Sequence, residues 1–250
     1  YKGDIESVVQ EAGNVVPCDQ IDQISGFFGY GLECVHLDLD FGATPNIITD
    51  ASGRKVIVEG QKSGVVHFVD AATMEPIAKV RLGIASPIGG MVGSAATDCA
   101  RAPGASCSIY GVHSVGGYLY SIGSDATPHW VSPIADGVHW GPPVTLANDI
   151  LYTVDLKGFL DAYDAQTGLP LLHRPMQLPG VNAAGAPWPG STLTGDPATV
   201  ENPPLSWGGA TVARNTVYVS TGVGLSQVNQ SLSMPDGFVI AYRPFRRPGV

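Results

Sequence analysis

The sequence predicts an all-β protein, a β-propeller built of four-stranded blades, and three observations predict it. Glycine and proline together make up about a fifth of the chain, 32 and 20 of 250 residues, against roughly 12% in average proteins. Short turns are therefore frequent, and no apolar run keeps a 3.6-residue period long enough for a long helix. A glycine followed by an alternating apolar strand recurs four times, and internal repetition at a fixed period is the signature of repeat architectures. Finally, the intervals between those glycines are 53, 41 and 79 residues, near or above the roughly 40–50 residues of one propeller blade.

The repeated strands, in order, are Gly64-Val-Val-His-Phe-Val-Asp70, Gly117-Tyr-Leu-Tyr-Ser-Ile-Gly123, Gly158-Phe-Leu-Asp-Ala-Tyr-Asp164 and Gly237-Phe-Val-Ile-Ala-Tyr-Arg243. Each follows a β-rich run: Lys55–Glu59, Ser108–Val112, Ile150–Val154 and Thr216–Ser220. Run, glycine turn and run spell a hairpin. Two of the second strands end alike, in Asp70-Ala-Ala-Thr73-Met74 and Asp164-Ala-Gln-Thr167-Gly168, where aspartate closes an Asx-turn and glycine takes a left-handed conformation. Residues 1–250 read as a single partial propeller domain of about four blades, with a long loop insertion at about 175–206. A sandwich has no comparable reason to repeat glycine, strand and aspartate at this period. Four blades are few for a ring, so the chain is expected to be part of a larger one, completed by a second chain or an N-terminal half.

The formal charge of −9 argues against a nucleic-acid surface or an anionic membrane, and no apolar run reaches the ~18–20 residues of a membrane span. The cysteines, Cys18, Cys34, Cys99 and Cys107, form no CxxC, which leaves a redox dithiol, a zinc ribbon and a c-type haem without support. Four cysteines allow three pairings; the local pairs Cys18–Cys34 and Cys99–Cys107 are the simplest, and they imply an oxidising compartment, periplasmic or extracellular. The six histidines show no HxH or HExxH spacing. No GxSxG elbow, Walker loop or dinucleotide fingerprint occurs, so hydrolase, NTPase and nicotinamide readings lack support.

The turns Val69-Asp-Ala-Ala-Thr-Met-Glu-Pro76 and Tyr163-Asp-Ala-Gln-Thr-Gly-Leu-Pro170 resemble the blade-end motif of quinoprotein propellers, Ala-x-Asp-x-x-Thr-Gly ending in Trp, with the Trp missing from both copies. The docking girdle those tryptophans form is therefore expected to be degraded. A more specific likeness lies in Asp38-Leu-Asp40-Phe-Gly-Ala-Thr-Pro-Asn46 and Val58-Glu-Gly-Gln-Lys62-Ser-Gly64. These are similar to the Asp-x-Gly-Ala-Ser-Pro and Gly-Gln-Lys-Ser-Gly stretches of pyrroloquinoline-quinone (PQQ) alcohol dehydrogenases, nearest the polyvinyl alcohol dehydrogenase branch. The likeness covers residues 35–85, and the rest of the chain only as blade pattern.

The resemblance implies roles for particular residues. Asp40 falls at the catalytic carboxylate, which also touches the metal, and Lys62 at the cation on the quinone carbonyls. Trp207 sits like the tryptophan leading a strand at the cofactor face, and Asn14 like an asparagine that binds calcium. Trp140, in His139-Trp140-Gly141 at the expected start of the third blade, is a further candidate facing the cofactor cavity. Asp38, two residues before Asp40, would share a strand face with it. Gly42 stands where lanthanide-dependent members carry an extra acid, which favours calcium.

Two functions follow. In the first, a base takes the hydroxyl proton of a small or polymeric alcohol while a cation polarises the quinone, the chemistry of a PQQ- and calcium-dependent dehydrogenase handing electrons to a cytochrome c. In the second, the propeller is a non-catalytic binding or assembly scaffold, for which Asp40 is a turn-capping residue and Lys62 a solvated turn lysine.

Overall fold

Alternation along each repeated strand puts one row of side chains on either face of a sheet, and stacking sheets on both faces buries both rows. The computed structural model describes residues 40–83, 90–99, 107–114, 117–134, 143–154, 159–176, 208–220 and 239–243. Those residues form four antiparallel sheets and no helix. The first sheet holds β1 (Asn46–Thr49), β2 (Lys55–Gly60), β3 (Val65–Asp70) and β4 (Pro76–Arg81). The second holds β5 (Ala96–Thr97), β6 (Ser108–His113), β7 (Tyr118–Gly123) and β8 (Pro128–Pro133). The third holds β9 (Thr145–Ala147), β10 (Ile150–Val154), β11 (Phe159–Asp164) and β12 (Pro170–Pro175). In the fourth, β13 (Thr211–Ala213), β14 (Thr216–Ser220) and β15 (Val239–Tyr242) are described. In every sheet the strands lie side by side in chain order.

Three of the four expected hairpins are the central pairs of four-stranded sheets, and the fourth is the β14–β15 pair of the last sheet. The repetition extends to a defect. The ladder between third and fourth strands slips after Phe68, after Ser121 and after Ala162, the same register position in three sheets. The turns behave as their residues require. Gly64 and Gly117 open their strands at φ +80° and +62°. Asp70 Oδ1 accepts the Ala72 and Thr73 amides at 2.8 and 3.0 Å, and Asp164 Oδ1 those of Gln166 and Thr167 at 3.1 and 2.8 Å. The amides of Thr73 and Ala72 hold the Asp70 carboxyl below the usual range, and the Thr167 hydroxyl, donating at 2.8 Å, followed by the turn amides, does the same for Asp164. Gly168 then takes φ +72°, whereas the first sheet places Met74 there at +63°, a conformation that costs a side-chain-bearing residue about 1 kcal/mol.

The core lies between the sheets. Ile48, Val56, Val58, Val66 and Phe68 of the first sheet meet Ile109, Tyr120 and Ile122 of the second. The second sheet's other face gives Tyr110, Val112 and Leu119 to a cluster with Leu151 and Tyr163 of the third. The third gives Val154 and Leu160 to a cluster with Val219 and Ile240 of the fourth. Among the described residues no cluster joins the fourth sheet to the first, and Val239 on the fourth sheet's far face is 69% exposed.

Among the described residues the degraded tryptophan girdle keeps one ring. A docking tryptophan is present, though outside the two motif copies. Trp130 of β8 packs over the Gly168 turn of the third sheet and donates its Nε1–H to the Ala165 carbonyl at 3.3 Å. A Cβ on Gly168 would stand 2.6 Å from the ring, so this glycine is required by close approach as well as by φ. The girdle is thinned rather than lost. Of the expected disulfides, Cys99–Cys107 is formed, with an S–S distance of 1.98 Å. Cys18–Cys34 and the insertion at 177–206 lie outside the described residues.

Candidate functional site

The turn between β2 and β3 carries Gln61-Lys62-Ser63-Gly64. It closes with the Gln61 amide on the Val65 carbonyl and the Gly64 amide on the Gln61 carbonyl, both 2.9 Å. Gln61 and Ser63 turn inward and are buried, so the lysine between them projects from a locked turn. Ser63 Oγ donates to Gln61 Oε1 at 2.8 Å, and His67 Nε2 lies 2.9 Å from the same oxygen. Because that oxygen can only accept, the neutral imidazole carries its proton on Nε2. Burial pushes the His67 pKa down to about 4, so the ring is uncharged at neutral pH. Directly across the ladder lies Glu59, whose carboxyl is raised by its own burial.

Asp40 enters this site from the segment before β1. Its carbonyl accepts the Lys62 amide at 3.1 Å, and its Oδ1 stands 3.0 Å from the Lys62 ammonium. The Asp40 side chain is 64% exposed and that of Lys62 15%. The next residue, Phe41, sets its ring edge-on to His67 with centroids 5.2 Å apart. His67 thus touches both the segment that carries Asp40 and the turn that carries Lys62. The segment leading into the second sheet packs against this turn. Gly90, at φ +85°, lies so close that a Cβ there would be 2.5 Å from the Lys62 carbonyl oxygen. Its own carbonyl accepts both the amide and the Oγ of Ser114, at 2.8 and 2.9 Å.

Of the residues expected to act, the structure therefore brings Asp40 and Lys62 together. Trp207, Trp140, Asn14 and Asp38 lie outside the described residues, and the third sheet's first strand begins at Thr145. His67 is a satisfied sheet histidine, and its link to the Lys62 turn is one that histidine spacing in the sequence does not reveal. The signal available was Gln61 and Ser63 flanking the lysine. Among the described residues one group gathers three side chains of metal-ligating type, Asp98 with Cys99 and Cys107. The disulfide uses both sulfurs, and the Asp98 carboxylate is engaged by the Ser108 amide at 2.7 Å and the Tyr110 hydroxyl at 3.3 Å, so this is a structural knot. No described helix is long and apolar enough to cross a membrane.

Consecutive four-stranded meanders, each sharing a core with the next, are the blades of a β-propeller. Two solved alcohol dehydrogenases bear this fold out. A quinohemoprotein alcohol dehydrogenase from Pseudomonas putida superposes with a TM-score of 0.54 at 17% identity, over 84% of this chain and 33% of that one. A quinohemoprotein alcohol dehydrogenase from Comamonas testosteroni gives 0.51 at 19% identity, over 75% and 30%. BamB from Moraxella catarrhalis gives 0.47 at 17% identity, over 74% and 48%. The chain spans about a third of the length of the dehydrogenases it matches. No protein-family model matches the chain, and no curated protein does. At these identities the likeness establishes the fold.

Proposed function

We propose that this chain is part of a PQQ-dependent alcohol-oxidising propeller, in which Asp40 and Lys62 form one wall of the quinone site. The observation that carries the proposal is the Asp40–Lys62 pair itself: two residues 22 apart in sequence, singled out by their motifs, meet at 3.0 Å. Their chemistry suits an alcohol and a quinone. Asp40, exposed, is placed to accept the proton of an alcohol hydroxyl. Lys62, mostly buried and fixed by its backbone, offers ammonium donors to a carbonyl oxygen that gains negative charge. When bound, PQQ supplies the electron-pair acceptor. The pair fits the quinone better than it fits calcium. Calcium takes six to eight oxygens, of which Asp40 supplies at most two, so calcium and Asn14 rest on the sequence resemblance alone, as does the polyvinyl alcohol branch. Periplasmic or extracellular residence, supported by the Cys99–Cys107 bond, a cytochrome c acceptor and completion of the ring by further blades belong to the same proposal.

A second reading, a non-catalytic scaffold, is favoured by one observation: a lysine already satisfied by a carboxylate is what a structural ion pair looks like. Equilibration with PQQ and calcium, followed by gel filtration and absorbance after denaturation, separates the two. Quinone retained by the wild type and lost in Lys62→Ala is expected. A chain that retains no quinone once its ring is complete is a scaffold.

A further inference from the structure

At the junction of the second and third sheets, the Trp130 indole fills the gap between β8 and the β11–β12 turn, its N–H on Ala165 O. The first junction lacks this ring. Trp130 pairs with Ser121 just before the ladder slip, and Ala78 pairs with Phe68 at the same point of the first sheet. Ala78 therefore holds the place of Trp130. Facing it is the β7–β8 turn, whose Ser124 corresponds to Ala165 and whose Ala126, at φ +66°, corresponds to Gly168 at +72°. Between them lies a cleft of about 420 Å³. Phe68, Ala78 and the 37%-exposed Ile77 line one side and Ser124–Ala126 the other, with Arg54 and Asp50 also in its lining.

We infer that this cleft binds a planar aromatic N–H group of the indole class, from a tryptophan-like small molecule, lying between Ala78 and the Ser124–Ala126 turn. The molecule docks such a ring at the equivalent place one junction on, against the same kind of turn. Three features carry over: an apolar floor, a small residue in the left-handed conformation that leaves the wall flat, and a backbone carbonyl, Ser124 O, to take the N–H. The cleft is larger than one indole, so a whole amino-acid-sized ligand enters. This inference stands apart from the quinone reading, because the cleft is lined by the β1–β2 and β7–β8 turns, at the opposite end of β2 from Lys62.

The test is a ¹H–¹⁵N NMR titration of the chain with N-acetyltryptophanamide. Saturable shifts are expected at the amides of Ala78 and Ser124–Ala126. Ala78→Trp should dock its own ring, raise Tm and abolish the response. Ala78→Leu, a smaller filling that keeps the fold, should weaken binding at least about tenfold, a change equal to 1.4 kcal/mol. N-acetylleucinamide should give no saturable shift, and the 1-methyl derivative of the tryptophan probe a weaker one. No saturable shift with the wild type, an equal response to the leucine probe, or unchanged binding by both Ala78 variants overturns the assignment. Equal affinity of the 1-methyl derivative overturns the role of the N–H.

Discussion

Lys62 meets Asp40 twice: its ammonium stands 3.0 Å from the carboxylate, and its backbone amide donates to the Asp40 carbonyl at 3.1 Å. The main-chain bond fixes the two residues side by side whatever their side chains do. The ion pair is thereby preorganised, so that a polar group inserting between the charges would find both already placed.

Replacing the charges should leave the fold intact. The Asp40 side chain is largely exposed, and such pairs contribute about 1 kcal/mol or less. Asp40→Asn and Lys62→Met are each expected to change stability by less than about 1 kcal/mol in urea unfolding. In a complete, quinone-loaded ring, Asp40→Asn should lower dye-linked alcohol oxidation by about 10²–10⁴-fold, the contribution of a general base. Undiminished turnover would remove Asp40 from that role.

His67 should set the geometry of the pair. His67→Phe keeps a ring against Phe41 but removes the donor to Gln61, leaving a buried acceptor short of a partner at about 1–3 kcal/mol. His67→Gln supplies an N–H of similar reach. The Asp40–Lys62 interaction energy, read from a double-mutant cycle with Asp40→Asn and Lys62→Met, should be reduced in the Phe variant and restored in the Gln variant. Equal coupling in all three would make His67 a packing residue only.

The same histidine predicts a pH dependence. Its folded pKa, pushed down to about 4 from an ordinary 6.5, means that the unfolded chain binds a proton in this range that the folded chain refuses. Its contribution is present above about pH 6.5 and is lost as pH falls towards about 4, levelling below that. Asp70 and Asp164, held low by their turns, act only further down. Urea midpoints measured from pH 8 to 3 should therefore fall earlier in the wild type than in His67→Gln; superimposable profiles would contradict the assignment.

Trp130 and Gly168 should be energetically coupled. Trp130→Ala is expected to cost about 2–4 kcal/mol for a large, partly buried ring. Gly168→Ala drives a methyl group to within 2.6 Å of the indole and adds left-handed strain. In the double variant the clash vanishes and the strain stays, so the two costs should sum to more than the double variant loses. Additive unfolding energies would mean that the contact is loose.

The Cys99–Cys107 bond closes a short loop, and constraining such a loop in the unfolded chain is worth about 2–3 kcal/mol. Replacing both cysteines by serine should lower Tm accordingly, and peptide mapping without reductant should recover the two cysteines linked.

The central hairpins were legible because glycine marks both their period and their left-handed turns. The outer strands were not: β5 pairs over only two residues, and β4, β8 and β12 carry mixed, exposed sequences with little alternation. Two tight turns, Asn148-Asp149 and Arg214-Asn215, take positive φ at both residues without any glycine, the geometry that suits a two-residue hairpin. Trp130 escaped notice because the turn before it, Gly123-Ser-Asp-Ala-Thr127, lacks the Asp-x-x-Thr-Gly spelling and is one residue shorter. Asp40 and Lys62 were legible through their motifs. Gln61 and His67 were not, since their contact spans a hairpin and depends on how deeply the turn is buried.

The three clusters of buried side chains each belong to two sheets, and among the described residues none belongs to a single sheet. A lone blade is thus a ladder without an interior, and the smallest piece able to exclude water is a neighbouring pair. Damage should then travel by adjacency: a substitution at Leu151 loosens the second and third sheets together while the fourth feels it only through the third. Amide protons in β6, β7, β10 and β11, flanked by packed neighbours on both faces, should be the last to exchange, and those of β15, whose far face presents Val239 to solvent, among the first. The chain behaves in this respect like a zipper whose teeth lie between the blades.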